Sequence, residues 1–278
     1  WSNFGSRKPA KVITAISMFY DLEDPNAFLE NVKKVLAEDG LLVIQQNYLP
    51  AMLENNAFDN IVHEHLEYYS VMSLNKLLER HELGIEDVEF NDVNGGSFRV
   101  YVKHQKWLAD HIRLSMSVGD FMAKYAVWPQ IGPHVIEALE KEKGMELDKP
   151  QTYKEFGQKV KIIRKKIHDY VAKLVADGKN IYIAGASTRG NTLVQVCDLQ
   201  DLIEHAVERN PAKHGKTYCG KISVISEKLA QELPPDYYLV LPWHFLGSFF
   251  TREQEYLARG GKLLIPLPKP RVVEMEQL

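Results

Sequence analysis

The stretch KVITAISMFYDLEDPNAFLENVKKVLAEDGLLVI, Lys11 to Ile44, carries three elements in a row. Lys11 to Met18 is a short apolar run bounded by Pro9 and by a cluster of Asp, Glu and Pro, the pattern of a strand buried on both faces. Asp24 is placed to accept the orphan amide protons of a helix start. Pro25 sits at the first helical position, where its missing N–H costs nothing, and Phe28, Val32, Val35 and Leu36 make one apolar stripe. Gly40 reads as the stop of that helix. Leu41 to Ile44 is a second buried strand, so the whole stretch reads strand, helix, strand, a right-handed crossover in a parallel sheet.

Working outward, Leu74, Leu77 and Leu78 mark a short helix. Ile85 to Asn91 and Phe98 to Val102 flank the turn residues Asn94, Gly95 and Gly96. The second run alternates strictly, Phe98, Val100 and Val102 against Ser97, Arg99 and Tyr101, so the two runs form a hairpin. Lys103 to Pro150 is helical in tone but interrupted by Pro129 and Pro133, and it closes on the charged run EALEKEKGMELDK; it reads as a connector. Thr152 and Glu155 fit a capping box that opens a long helix, with Phe156, Val160, Ile163, Ile167, Val171 and Leu174 in rhythm as far as Gly178. Strands are then expected near Ile181 to Ala184, Ile203 to Val207, Ser223 to Ile225, Tyr237 to Leu241 and Lys262 to Ile265, with helices between several of them, a second and smaller doubly wound domain. The expected segments are 1–104, a helical connector over 105–177, and 178–278.

At 278 residues the chain has room for two α/β domains of about 150 residues each. A content of 45% hydrophobic and 26% charged residues is that of a globular protein, which excludes disordered, collagen-like and coiled-coil classes. Lys+Arg 34 against Asp+Glu 37 leaves a net charge of −3, so nothing draws the chain onto a phosphate polymer or an anionic bilayer; neither nucleic acid nor membrane is an expected partner. The longest apolar stretch, Tyr237 to Phe250, is broken by Pro242, His244 and Gly247, whereas a bilayer crossing needs about 20 apolar residues. Cys197 and Cys219 are too few for a disulfide framework or a zinc knuckle and are expected to be free thiols in a reducing, cytoplasmic compartment. The chain opens WSNFGSRKPAK, with neither an initiator Met nor the order of a signal peptide, so Trp1 reads as an interior residue of a longer protein.

Two polar clusters stand out. FDNIVHEHLEYYS, Phe58 to Ser70, follows the strand ending at Ile44, and loops at the carboxyl ends of parallel strands are where α/β sheets bind ligands. A histidine beside a carboxylate, as in His63, Glu64 and His65, is a candidate general base, since imidazole titrates near neutrality and a neighbouring anion favours its protonated form. HEHLE is not the zinc motif HExxH, and no third ligand is evident, so no metal site is expected; two ordinary loop histidines are the plainer alternative. Gln46, Asn47 and Tyr48 end the preceding strand and are expected to face the same cleft, or else simply to begin a polar turn before Pro50.

The second cluster is IYIAGASTRGNT, Ile181 to Thr192, where a strand runs into Gly185, Gly190 and a helix start. Amides at such a turn face anions, which makes it a candidate diphosphate cradle with Ser187, Thr188 and Asn191 as extra donors and Arg189 as counter-charge. Ser187 stands where the middle glycine of G-x-G-x-x-G would let a dinucleotide approach, which disfavours a nicotinamide oxidoreductase. Glu208 ends the next strand, where an acid can bond a ribose hydroxyl, and Lys213 lies at the neighbouring strand end. The alternative is that the two glycines only permit tight packing and Arg189 is a surface charge.

Taken in order, FYDLEDPNAFLENVKKVLAEDG, FDNIVHEHLEYYS, NGGSFRVYV, GASTRGNTL and GGKLLIPLPKP resemble the sugar-nucleotide C-methyltransferases over essentially the whole chain. That resemblance implies an α/β protein in which the back half of a class I methyltransferase sheet is joined by helices to a second, Rossmann-like parallel α/β domain. It implies S-adenosylmethionine as cofactor, with Ser17, Met18 and Phe19 along one wall of an incomplete cofactor cleft, and zinc only in a domain preceding Trp1. The substrate would be a dTDP-linked keto-deoxysugar, with His65 and Glu64 carrying the proton chemistry. Asn47, Tyr48, His63, Ser187, Arg189, Asn191, Thr192, Glu208 and Lys213 would bind that substrate. Some members have a tyrosine three residues before the histidine, where this chain has Val62, and many have lysine at Arg189. A non-catalytic nucleotide-binding module that has lost the cofactor half would share these features.

Overall fold

The computed structural model describes residues 8–112 and 132–275, so Pro129 and both chain ends lie outside the described residues. The chain forms two compact units, one made of Trp1–Ala51 with Glu64–Thr152, the other of Met52–His63 with Tyr153–Leu278.

The first unit is built on β1 (Ala10–Ile16), α1 (Pro25–Val35) and β2 (Leu36–Asn47), with β1 and β2 parallel as the opening stretch predicts. Asp24 caps α1 by accepting from the Ala27 amide at 2.9 Å, and Pro25 opens it. The helix stops at Val35 rather than at Gly40. Leu36 already has extended geometry, is buried, and pairs with Ala10, so the sheet claims it before the helix signal ends. Gly40 matters for a different reason: a Cβ there would lie 2.9 Å from the Ala10 carbonyl oxygen. After α2 (Leu49–Glu54) and α3 (Val71–Glu79) come the hairpin strands β3 (Leu83–Asn91) and β4 (Ser97–His104), giving the order β1-β2-β4-β3. Asn94, Gly95 and Gly96 take φ of 55°, 86° and 123° to turn the hairpin, and the Gly96 carbonyl accepts the Tyr48 amide at 3.1 Å, so hairpin geometry accounts for these glycines. Phe98, Val100 and Val102 are fully buried, as their alternation requires. Helices α4 (Gln105–Ile112) and α5 (Pro133–Gly144) follow, and Val135 and Ala138 of α5 join this core.

Most of α6 (Pro150–Ala176), whose 27 residues span about 40 Å, belongs to the second unit. The expected capping box is absent because the helix opens one turn earlier: Thr152 lies inside it, its hydroxyl donating to the Met145 and Glu146 carbonyls at 3.2 and 2.9 Å. Ile163, Ile167 and Val171 are its buried face. The sheet then contains β5 (Ile181–Ala184), β6 (His205–Glu208), β7 (Thr217–Tyr218), β8 (Ile222–Ser226), β9 (Tyr237–Val240), β10 (Lys262–Ile265) and β11 (Arg271–Val273) in the order β11-β10-β9-β5-β6-β8-β7. The five expected strands are parallel; the sequence reading missed β7 and β11, two short antiparallel edge strands. Between β5 and β6 lies α7 (Thr188–Val196), between β8 and β9 lies α8 (Glu227–Glu232), and α9 (Leu246–Arg252) with α10 (Gln254–Ala258) precedes β10. The chain goes from β5 to one side of the sheet and returns to β9 on the other, which makes the carboxyl ends of β5 and β9 the topological switch point.

Candidate active site

In the first unit the loop containing Glu64 and His65 is held by its backbone. The Tyr20 carbonyl, on the short turn Phe19–Asp21 that follows β1, accepts the Leu66 and Glu67 amides at 3.0 and 3.1 Å. The Tyr69 carbonyl accepts the Leu49 amide at 2.9 Å. Ser70 caps α3, and the carboxylate of Glu142, fully buried on α5, takes the Val71 and Met72 amides at 2.6 and 2.8 Å. A carboxylate facing two orphan N–H groups satisfies both the helix dipole and the hydrogen-bond deficit of a helix start. Above this seat the His65 ring meets the edge of Tyr20 with centroids 4.4 Å apart, and His65 is half-buried while Glu64 and His63 are exposed. Asp21, exposed beside Tyr20, has its carboxyl raised by desolvation, pulled back by His65 and raised again by Glu64, so these three groups share one electrostatic neighbourhood.

Of the expected cofactor-wall residues, Ser17 is exposed at the end of β1 with φ of 51°, and Met18 is half-buried. Phe19 is fully buried, packed on Phe28 and Tyr69 at 5.7 and 5.4 Å, so its ring belongs to the core. At the end of β2, Asn47 is half-buried and the Tyr48 ring is buried against Phe90 and Phe98 at 4.9 and 5.2 Å. Gln45 is engaged by Arg99, but Gln46 is buried with neither its side-chain oxygen nor its nitrogen bonded among the described residues. A buried amide left in that state is the mark of a missing polar neighbour.

The second unit gathers its expected residues around the turn after β5. Gly185 has φ of +88°, a conformation that favours glycine, while Gly190 is a packing glycine: a Cβ on it would meet Leu241 at 2.6 Å and the Tyr218 hydroxyl at 2.7 Å. Ser187 caps α7 by accepting the Gly190 amide at 3.1 Å. Glu208 accepts four donors: the Arg209 and Asn210 amides at 2.8 and 3.0 Å on one oxygen, the Ala186 amide and Lys213 at 3.3 and 3.2 Å on the other. Burial pushes its pKa up, but the amides of Asn210 and Ala186 and the Lys213 ammonium outweigh that and hold it below the usual value. Its acceptor capacity is thereby filled by protein. Lys213 also donates to the Ala186 carbonyl at 2.8 Å, Thr192 to Ile61 at 3.3 Å, and Asn191 accepts from Gln195 and Cys219 at 2.7 and 2.8 Å.

Arg189 is no surface charge. Its guanidinium donates at 3.0 and 2.7 Å to one oxygen of Asp59, a residue 1% exposed that also accepts Trp243 Nε1 at 3.1 Å. Burial raises the Asp59 pKa against the pull of Arg189 and Trp243. His244, next to Trp243, is pushed down to about 4 by burial and by the Arg189 charge, which makes it a neutral imidazole at physiological pH. On the same sheet a cleft of about 130 Å³ opens at the ends of β5 and β6, lined by Gly185, Glu208, Arg209, Glu227, Tyr238 and Arg252 among others. Cys197 and Cys219 are free thiols. Among the described residues no cluster of three His, Cys, Asp or Glu is placed to hold a metal, and no helix is long and apolar enough to cross a membrane.

The sequence reading missed Tyr20, Asp21, Asp59 and Glu142. Only Glu142 left a signal: it shares the helical spacing of Val135 and Ala138, which puts a carboxylate on the buried stripe of α5.

Residues 92–268 match the family described as the C-methyltransferase C-terminal domain, and residues 3–88 match a methyltransferase domain. The chain is 34% identical over 269 residues to the C-methyltransferase NovU of Streptomyces niveus, covering 96% of this chain and 59% of that protein. It therefore spans somewhat over half the length of that relative. Among solved structures, the m1A22 tRNA methyltransferase TrmK of B. subtilis overlaps 69% of this chain and 61% of its own at 15% identity, with a TM-score of 0.25, too slight a likeness to bear on the fold.

Proposed function

This chain belongs to the C-methyltransferase family, and on that premise we propose that it serves as an S-adenosylmethionine-dependent C-methyltransferase for a nucleotide-linked keto-deoxysugar, with His65 as general base. The carrying observation is the seating of the His65 loop at the carboxyl end of β1, backbone pinned and imidazole half-buried on Tyr20. Alkylating carbon requires a carbanion, and a ketone next to the reacting carbon acidifies its C–H bond. His65 accepts that proton on its imidazole, and Glu64 beside it favours the imidazolium so formed.

The residues at the strand ends fit the cofactor that the family implies. Gln46 holds an unspent buried carboxamide, and Ser17 and Met18, with the backbone of Phe19, would line the same end of the sheet. S-adenosylmethionine, when bound, supplies an electrophilic methyl group. Asn47, Tyr48 and His63 are assigned to the sugar. In the second unit Arg189, held in place by Asp59, and Lys213, with a side chain 43% exposed, are the cations for a diphosphate. Ser187, Asn191 and Thr192 shape the turn that receives it, and Glu208 organises that turn.

In the full-length enzyme, His65→Ala is expected to lower methyl transfer by about a thousandfold while leaving nucleotide affinity within about twofold. Turnover at the wild-type rate in that variant overturns the assignment.

A further inference from the structure

The chain enters the His65 loop through the turn Phe58–Asn60, which belongs to the second unit with the rest of Met52–His63. That turn packs on α7 and is fastened there by side chains. Asp59, 1% exposed, accepts Arg189 Nε and Nη2 at 3.0 and 2.7 Å and Trp243 Nε1 at 3.1 Å on one oxygen, while Thr192 donates to the Ile61 carbonyl at 3.3 Å. Arg189 thus has two duties, as the cation assigned to the diphosphate and as the partner of a buried carboxylate. Drawing the guanidinium away would leave that carboxylate buried and uncompensated, so a phosphate is received in the orientation that Asp59 imposes. The rigid fork of an arginine suits such a two-donor clamp.

We propose that Asp59 is a positioning residue: through its clamp on Arg189 it fastens the turn Phe58–Asn60 to the diphosphate cation, so that binding of a nucleoside diphosphate orders the stretch that leads into His65. The inference rests on the reading of Arg189 as that cation. Its physical content is linkage. A ligand that binds only the clamped form stabilises it against opening, by a factor that grows with ligand concentration relative to Kd. Binding energy from a part of the substrate that does not react then goes into ordering the approach to the base.

Amide exchange of the full-length enzyme with and without thymidine diphosphate tests this, with calorimetry supplying the affinity. At about a hundred times Kd, the amides of Asn60, Ile61 and Val62, bonded to the Ala57, Phe58 and Asn60 carbonyls, are expected to exchange at least about tenfold more slowly than without ligand. Leu66 and Glu67, held by Tyr20, are expected to change by less than about twofold. In Asp59→Asn the diphosphate is expected to bind within about threefold of the wild-type affinity, while the slowing at Asn60 to Val62 falls below about twofold. A turn that Asp59 merely stabilises would exchange faster in both samples and keep the ligand-dependent ratio, which overturns the proposal. Equal slowing at Leu66 and Glu67 also overturns it, since the ligand would then be stabilising the whole chain. Arg189→Lys keeps the cation without the fork and is expected to lose the ratio too, which decides the matter if Asp59→Asn does not fold. Failure of thymidine diphosphate to bind the wild type overturns the diphosphate reading itself, whereas binding without slowing overturns the coupling alone.

Discussion

Two of the loops at the carboxyl ends of parallel strands are fastened in different ways. Around His65 the fasteners are main-chain atoms: the Leu66 and Glu67 amides on Tyr20, the Leu49 amide on Tyr69, and the Val71 and Met72 amides on Glu142. Around Gly185 the backbone bond from its own amide to the Val207 carbonyl at 2.9 Å is joined by side chains, with Ser187, Glu208, Lys213 and Thr192 each bonded to backbone of their own unit. A loop pinned through its own backbone does not depend on its polar side chains for its shape. A loop fixed by its side chains has converted them into shape. The polar content of a loop is thus no measure of its ligand-binding capacity.

The contrast is broken most severely at Glu142. Replacing it by alanine leaves the Val71 and Met72 amides buried without an acceptor, at a cost of about 3 kcal/mol. Urea unfolding of Glu142→Ala is expected to show that loss together with faster exchange of both amides. If stability drops and those amides stay protected, the α3 start does not depend on Glu142, and the loop is held by Tyr20 and Tyr69 alone.

The second loop is tested through His244, which lies beside the Asp59 and Arg189 pair. In the folded chain its pKa is about 4, against 6.5 for the unfolded imidazole, so between those values the unfolded chain binds more protons. Its contribution to stability is complete above pH 6.5 and is lost as pH falls from there toward about 4. With its partial exposure taken into account, that loss is about 2 kcal/mol. Unfolding midpoints at pH 7.5 and pH 5 are expected to converge in His244→Gln; a variant as pH-sensitive as the wild type would show that other groups dominate.

The sequence exposes whatever is periodic or local. The crossover from Lys11 to Ile44, the alternation of Phe98, Val100 and Val102, and the Asp24-Pro25 helix start are set by neighbours in the chain, and the fold follows them. Where a residue's partner is distant, the local signal loses. Leu36 leaves a helical stripe to pair with Ala10, and Arg189 finds Asp59, 130 positions earlier in the chain. Asp59 was not singled out, because nothing near it in the sequence tells of Trp243 and Arg189. The HEH tripeptide was visible as a cluster, whereas its seat on Tyr20 lies more than 40 residues upstream, at a strand end that the sequence reading assigned only to the cofactor wall.

Ser187 separates shape from binding with the smallest effect. It was expected to donate to a diphosphate, yet its hydroxyl oxygen accepts the Gly190 amide at 3.1 Å and its carbonyl accepts the Tyr218 hydroxyl at 2.9 Å. Loss of an N-cap serine costs about 1 kcal/mol. If Ser187 serves the turn alone, Ser187→Ala is expected to lose that much stability in urea and to change calorimetric affinity for a nucleoside diphosphate by less than about threefold, under 1 kcal/mol. A hydroxyl that also bonds a charged phosphate oxygen contributes roughly 1.5–3 kcal/mol, so its removal would weaken binding by more than about tenfold. An affinity loss of that size with stability intact would mean that the side chain spends its hydrogen bond on the ligand, and the contrast between the two loops would fail at this position first.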